Sequence, residues 1–184
     1  MPEMKAALFL DRDGVMNEDT AYAHGNHPII LVPGIVDIFS FLKQHSIFYP
    51  IVVSNQSGIA RGIYSREACF QYTRRLYALI QAKSGYHMSA IPLYFAPTYD
   101  TESFNLKPKP GMLLSAARDH GIQLRESYMI GDSFSDVEAG YRAGCRGFFH
   151  RSCGMNVFDL FKCIPEVKYK LETKEELKQE RNLH

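Results

Sequence analysis

The sequence predicts an α/β protein built on a Rossmann-like, doubly wound parallel sheet. Three observations predict it. Short apolar runs alternate with longer segments of helical periodicity along most of the chain. The first run, Ala6 to Leu10, is apolar at every position, as in a strand buried on both faces. Each of several runs stops at a polar cluster, and the carboxyl ends of parallel strands are where open α/β sheets bind ligands.

The elements follow in order. Ala6–Leu10 ends at Asp11-Arg12-Asp13-Gly14. In an extended chain residues i and i+2 share a side, so Asp11 and Asp13 share one volume while Arg12 points away. Two carboxylates so close repel, and protonation or a hard cation such as Mg²⁺ relieves the repulsion. Residues 17–33 form a polar loop holding His24 and His27, read as surface residues. Pro33-Gly34 opens a helix whose inner face is Ile35, Ile38, Phe39 and Leu42. Ile47 to Val53 is the second strand, ending at Ser54-Asn55-Gln56-Ser57-Gly58. Ser65 caps a second helix with Tyr72, Leu76, Leu79 and Ile80 on its apolar face. Ile91 to Phe95 is the third strand, and a long Pro-punctuated connection, Ala96 to Pro110, follows it.

Gly111 to His120 reads as a third helix, stopped by Gly121. Tyr128 to Ile130 is the fourth strand and runs into Gly131-Asp132-Ser133-Phe134-Ser135-Asp136. The next helix turns Val137, Gly140 and Tyr141 inward, and Gly147 to His150 is the fifth strand. A short helix is expected over Val157 to Phe161, an edge strand over Val167 to Tyr169, and a solvated mixed-charge helix over Leu171 to Arg181.

Composition narrows the function. The 184 residues, 46% of them apolar, suit a single domain spanning 1–184. Twenty-one Lys and Arg face twenty Asp and Glu, a net charge of +1, with no basic patch for nucleic acid. No apolar run reaches membrane-spanning length, and the N-terminal MPEMK lacks the parts of a signal peptide. Cys69, Cys145, Cys153 and Cys163 form no C-x-x-C pair and read as reduced thiols of a cytoplasmic protein. A monomer is expected, with no nucleic-acid or membrane partner.

Four polar clusters fall at strand ends or just beyond: Asp11/Asp13, Ser54/Asn55, Lys107 and Asp132/Asp136. In a parallel sheet these ends face one way. Three carboxylates suit one Mg²⁺, a lysine supplies the point charge that phosphate recognition needs, and a free carboxylate can attack phosphorus.

At these residues the chain resembles the haloacid dehalogenase-like (HAD-like) phosphohydrolases. Asp11-Arg12-Asp13-Gly14-Val15, Ser54, Lys107-Pro108 and Gly131-Asp132-x-x-x-Asp136 match the four motifs of that superfamily. The strings DRDGVMN, SNQSGIARG and KPKPGMLLSAARD resemble the D,D-heptose 1,7-bisphosphate phosphatase branch, which is similar to the histidinol-phosphate phosphatases. The resemblance extends to about Arg151 and implies a HAD-like fold with no large cap domain.

The resemblance implies an Mg²⁺-dependent phosphatase acting on a small sugar phosphate through an aspartyl-phosphate. D-glycero-D-manno-heptose 1,7-bisphosphate, losing its 7-phosphate, is the first expectation and histidinol phosphate the alternative. Asp11 would be nucleophile and metal ligand. Asp13 would be acid and base, binding metal through its carbonyl. Asp132 would be the third protein ligand, and Asp136 would support the site from behind. Ser54 and Lys107 would grip the phosphoryl group. Asn17, Asp19, Tyr22, Asn55, Gln56, Ser57 and Arg61 would meet the substrate.

Two departures from the family are visible. Its zinc loop, C-x-H then C-x-C-R-K-P, aligns with Ala96, Thr98, Ser103 and Asn105, none of which forms an ordinary zinc thiolate or imidazole bond, so no zinc is expected. Its arginine before the lysine is Leu106, so a weaker grip on a distal phosphate is expected. The loop over 96–110 is then expected to be ordered by Pro97, Pro108 and Pro110 with packing of Phe95, Tyr99 and Phe104, and to form one pocket wall. Two other classes compete. A phosphorylation-switch receiver needs its acceptor aspartate on a middle strand, where this chain has Phe95-Ala96. A non-catalytic phospho-ligand-binding protein would not need Asp11, Asp13 and Asp132 together.

Overall fold

The computed structural model describes residues 5–181, with side chains to residue 174. Five parallel strands form one sheet in the order β3-β2-β1-β4-β5. They are β1 (Ala7–Leu10), β2 (Tyr49–Asn55), β3 (Leu93–Ala96), β4 (Tyr128–Gly131) and β5 (Gly147–His150). The chain moves outward from β1 through β2 to β3, then returns to the other side of β1 for β4. That reversal puts a crevice at the carboxyl end of β1, between β2 and β4.

Helices cover both faces, and side-chain alternation along β1 assigns them. Leu8 and Leu10 join the core beneath α1 (Ile35–His45), α2 (Arg66–Ser84), α5 (Val157–Phe161) and α6 (Pro165–Arg181). Ala7 and Phe9 join the core beneath α3 (Gly111–His120) and α4 (Phe134–Ala143). All four residues of β1 are buried, as its uniform apolar run requires. The strands pair in register Leu10↔Val52 and Leu10↔Ile130, so the residues after β1 emerge level with the ends of β2 and β4.

Several helix boundaries fall where the sequence puts them. Ser65 caps α2 by accepting the Ala68 N–H, and Gly121 closes α3 at φ 65°. Ile35, Ile38, Phe39 and Leu42 are buried on α1. Two expectations fail. Tyr141 is 70% exposed, because the inward face of α4 is Asp136, Ala139, Gly140 and Ala143. Gly140 lies against Met129 of β4, so the helix sits too close to the sheet for a tyrosine beneath it, and Tyr141 instead lies edge-on to Phe148. Val167 to Tyr169 is helical, part of α6, not an edge strand. Pro165 starts that helix at a position where a missing N–H costs nothing, and Val167 anchors it in the core. The mixed-charge run Leu171–Arg181 is its continuation.

Candidate active site

Asp11 and Asp13 leave the carboxyl end of β1 into the crevice. Gly14 follows at φ +77°, and a Cβ there would stand 1.8 Å from Asp132 Oδ2. Only glycine lets the β1 turn approach the β4 turn so closely. Asp136 reaches the same place from the first turn of α4. Its Oδ2 accepts the Ser133 N–H at 3.0 Å, half of a capping box with the Ser133 hydroxyl.

Carboxylate oxygens of Asp11, Asp132 and Asp136 lie within 4.8 Å of one another. One cation stands among them. Lys107 Nζ is 3.1 Å from Asp11 Oδ1 and 2.5 Å from Asp136 Oδ1, and donates to the Val53 carbonyl at 2.9 Å. Burial pushes the Asp11 carboxyl up to about 8, against the pull of Lys107 and with the push of Asp136, Asp13 and Asp132. Burial and then Asp136 and Asp19 push Asp132 up to about 6. Lys107 is held charged: burial opposes the charge, but Asp11 and Asp136 outweigh it. A buried cluster of hard oxygen donors with one lysine fits a divalent cation such as Mg²⁺.

Asp13 has different surroundings. Arg12 Nη2 donates to its Oδ2 at 2.7 Å and Arg12 Nε to its Oδ1 at 3.1 Å. Gln56 Nε2 donates to Oδ2 and Asn17 Nδ2 to Oδ1, both at 2.9 Å. The backbone alternation that turns Arg12 away from the crevice holds only at its Cβ. The long side chain runs under the floor, 1% exposed, over the Tyr72 ring, and brings its guanidinium back to Asp13.

A cavity of about 360 Å³ opens above these groups. Asp11, Asp13 and Asp132 face it, with Ser54, Asn55, Gln56 and Ser57 from the end of β2 on one side. Asp19 and Tyr22 come from the 17–33 loop, in which Ala21 and Tyr22 both hold positive φ (53° and 56°). Two adjacent non-glycine residues in that region mark a strained rim.

Three residues expected to meet substrate make other contacts. Asn17 is buried and turned to Asp13. Asn55 clamps the backbone of Lys107, accepting its N–H at 3.0 Å and donating to its carbonyl at 3.1 Å. Arg61 lies outside the cavity, its guanidinium 4.8 Å from the centre of the Tyr99 ring. No residue of the 96–110 loop lines the cavity, so the expected wall is not there; the ends of β2 and the 17–33 loop form it instead. Nor do the aromatics order that loop, since Tyr99 and Phe104 are 54% and 58% exposed. Phe95 packs edge-on against Phe70, Leu106 packs against the α3/α4 core, and the Asn55 clamp fixes the end.

Two functional positions escaped the sequence reading. Tyr64, almost buried at the cavity wall, donates its hydroxyl to Gln56 Oε1 at 2.7 Å. Arg151, just past β5, donates to the Gly14 carbonyl at 2.7 Å and to Glu18 at 3.0 Å, tying the β1 turn to the 17–33 loop. Tyr64 reaches back eight residues to Gln56, whereas Arg151 reaches across more than a hundred residues, and no repeat or motif spacing marks either.

A HAD-hydrolase-like family model matches residues 106–154, which hold Lys107, Asp132 and Asp136. A D-glycero-D-manno-heptose-1,7-bisphosphate 7-phosphatase of Thermosynechococcus vestitus is 34% identical over 154 residues, 78% of this chain and 77% of the relative. The chain belongs to the HAD-like phosphohydrolases. It is thus a phosphoric monoester hydrolase. A Burkholderia mallei D-glycero-alpha-D-manno-heptose-1,7-bisphosphate 7-phosphatase is 37% identical over 75% of each chain. Among solved structures, the D,D-heptose 1,7-bisphosphate phosphatase of B. bronchiseptica, complexed with magnesium and phosphate, aligns with TM-score 0.70 at 27% identity, covering 78% of this chain and 79% of that one. A HAD-like phosphatase of Mesorhizobium loti aligns with TM-score 0.68 at 30% identity, covering 79% and 71%.

Proposed function

We propose that this protein is an Mg²⁺-dependent phosphatase that removes the 7-phosphate of D-glycero-D-manno-heptose 1,7-bisphosphate through an aspartyl-phosphate. The observation that carries the chemistry is the Asp11 carboxylate facing the cavity, beside Lys107 and within reach of Asp132. The substrate rests on the relatives at 34–37% identity. Asp11 and Asp132 would hold the metal through side-chain oxygens and Asp13 through its carbonyl, and the cation would supply charge neutralisation at the phosphoryl group.

Each remaining step belongs to residues of this chain. Asp11 Oδ attacks phosphorus as the bond to the leaving oxygen breaks, and Asp13 gives that oxygen its proton. Asp13 then takes a proton from water, whose oxygen attacks phosphorus and frees Asp11, releasing phosphate. Ser54 and Lys107 hold the phosphoryl oxygens. Asp136 anchors Lys107. Asp19, Tyr22 and Ser57 meet the rest of the substrate. The enzyme works as a cytoplasmic, single-domain monomer without structural zinc.

One observation favours histidinol phosphate as a second reading. A cavity of about 370 Å³ adjoins the first through Asp19 and Asp132 and adds Glu18 and His150. Its one arginine, Arg151, is already paired with Glu18, and Leu106 faces the core, so no uncommitted Lys or Arg lines either cavity among the described residues. An amine suits that lining better than a second phosphate does. Steady-state kinetics on heptose 1,7-bisphosphate, histidinol phosphate and sugar monophosphates, each with Mg²⁺ and with EDTA, tests both readings. The first expects the bisphosphate to have the highest kcat/KM. A clear preference for histidinol phosphate replaces it with the second, and EDTA-insensitive turnover removes the metal from both.

A further inference from the structure

Gln56 is a polar side chain at the heart of the site, 2% exposed, and every polar atom of its amide is engaged. Nε2 donates to Asp13 Oδ2 and to Ser54 Oγ, each at 2.9 Å. Oε1 accepts from the Tyr64 hydroxyl at 2.7 Å and from Arg12 Nη2 at 3.2 Å. A guanidinium has no acceptor, so the amide oxygen must face Arg12 and the amide nitrogen must face Asp13 and Ser54. Burial pushes the Tyr64 phenol up to about 12, which keeps its proton available for the bond to Gln56.

The topology makes this bridge possible. Ser54 and Gln56 are i and i+2 at the end of β2, and Asp11 and Asp13 are i and i+2 just past the end of β1. The Leu10↔Val52 register sets the two ends side by side. The Gln56 amide therefore joins the two strand ends through the groups that flank the nucleophile.

We propose that Gln56, locked by Tyr64 and Arg12, is a positioning residue that holds Asp13 for proton transfer to the leaving oxygen and aims the Ser54 hydroxyl proton at the phosphoryl group. A hydroxyl that accepts from Gln56 has its own proton left to donate. This takes Gln56 out of the substrate-contacting set. It rests on Asp13 being the acid of the first step.

The test uses two esters that differ in need for that acid. The sugar alkoxide of heptose 1,7-bisphosphate must be protonated as it leaves, whereas the nitrophenolate of p-nitrophenyl phosphate leaves without a proton. The first half-reaction is read in single turnovers of the full chain with Mg²⁺, by acid-quenched phosphoenzyme and by nitrophenolate release. Gln56→Leu is expected to slow transfer from the alkyl ester by about 100-fold and from the aryl ester by about tenfold or less, the shared part reporting Ser54. Tyr64→Phe, a single lost hydroxyl that spares the fold if Gln56→Leu does not, is expected to slow the alkyl ester by about threefold to tenfold and the aryl ester by about twofold or less. Asp13→Asn is the reference and should show the largest excess on the alkyl ester. Equal slowing of both esters by Gln56→Leu or Tyr64→Phe, with the excess present in Asp13→Asn, overturns the inference and leaves Asp13 as the acid. Equal slowing by Asp13→Asn overturns the acid assignment and the inference with it.

Discussion

Two acidic regions meet at the end of β1, and the protein treats them oppositely. Around Asp13, charge and hydrogen bonds balance: one guanidinium faces one carboxylate, and two side-chain amides complete its oxygens. Around Asp11 they do not. Three carboxylates share one lysine, and two of them are pushed well above the usual carboxylate range by burial and by each other. A buried carboxylate cluster that the chain leaves uncompensated marks where an external cation and an anionic substrate belong. A balanced carboxylate is held in one orientation by its partners.

The comparison breaks most sharply at the nucleophile. Asp11→Asn keeps the shape and removes the charge, and turnover should fall by roughly 10³-fold or more. A variant retaining a tenth of wild-type kcat would take Asp11 out of that role. Lys107→Ala comes next. It strips the one lysine from the unbalanced side, and kcat/KM should fall by about 10²-fold or more. Breaking a buried pair this way also costs about 3–5 kcal/mol, so the melting temperature without metal should drop as well. Unchanged melting and unchanged kcat/KM would mean that Lys107 does not hold the cluster.

Metal binding sharpens the contrast from outside. Mg²⁺ at about a hundred times its Kd should stabilise the folded chain by about 2.7 kcal/mol. The metal needs ionised ligands, and Asp11 and Asp132 carry raised values in the metal-free protein. The thermal shift caused by Mg²⁺ should therefore be small near pH 5 and grow as the pH rises to about 8. A shift independent of pH would show that these carboxyls do not bind the ion. Gly14→Ala is a smaller perturbation of the same side. Its Cβ has no room beside Asp132, and Mg²⁺ affinity by calorimetry should fall by about tenfold. Wild-type affinity would mean that Asp132 is free to move. The smallest effect should be Lys109→Ala. That lysine pairs at 3.5 Å with a glutamate whose side chain is 89% exposed, so stability should change by less than about 0.5 kcal/mol. Damage equal to that of Lys107→Ala would mean that the two lysines have been assigned the wrong way round.

The unbalanced region was legible in the sequence, and the balanced one was not. Asp11, Ser54 and Asp132 each stand at or just beyond the end of an apolar run, Lys107 lies in the loop that follows one, and parallel strand ends converge whatever the helices between them do. The i, i+2 spacing set Asp11 and Asp13 toward one volume, and Gly14 announced the turn. Strand and helix order followed from periodicity, because burial on a flat sheet or a helix face imposes a repeat on the chain itself. Where a pattern had few residues, as at Val167–Tyr169 and Tyr141, the period alone did not decide the outcome. A proline at a helix start and a close glycine contact did.

Only the tertiary structure decided what the polar side chains do once they arrive. Arg12 leaves the crevice at its Cβ and returns at its guanidinium, a path that depends on Tyr72, Cys69 and Thr73 of α2. Asn17, Asn55 and Gln56 carry the composition of a substrate-binding wall. Asn17 and Asn55 instead hold Asp13 and Lys107, and Gln56 bridges Asp13 and Ser54. Tyr64 and Arg151 enter from positions with no local mark. The sequence by itself determined the fold and the arrival of several acidic side chains at one edge of the sheet, because each follows from a repeat or a strand end. Which donor meets which acceptor was left to the packed molecule. A buried polar atom takes whatever partner the fold sets within about 3 Å, and for Asp13 one such partner is 43 residues away and another four.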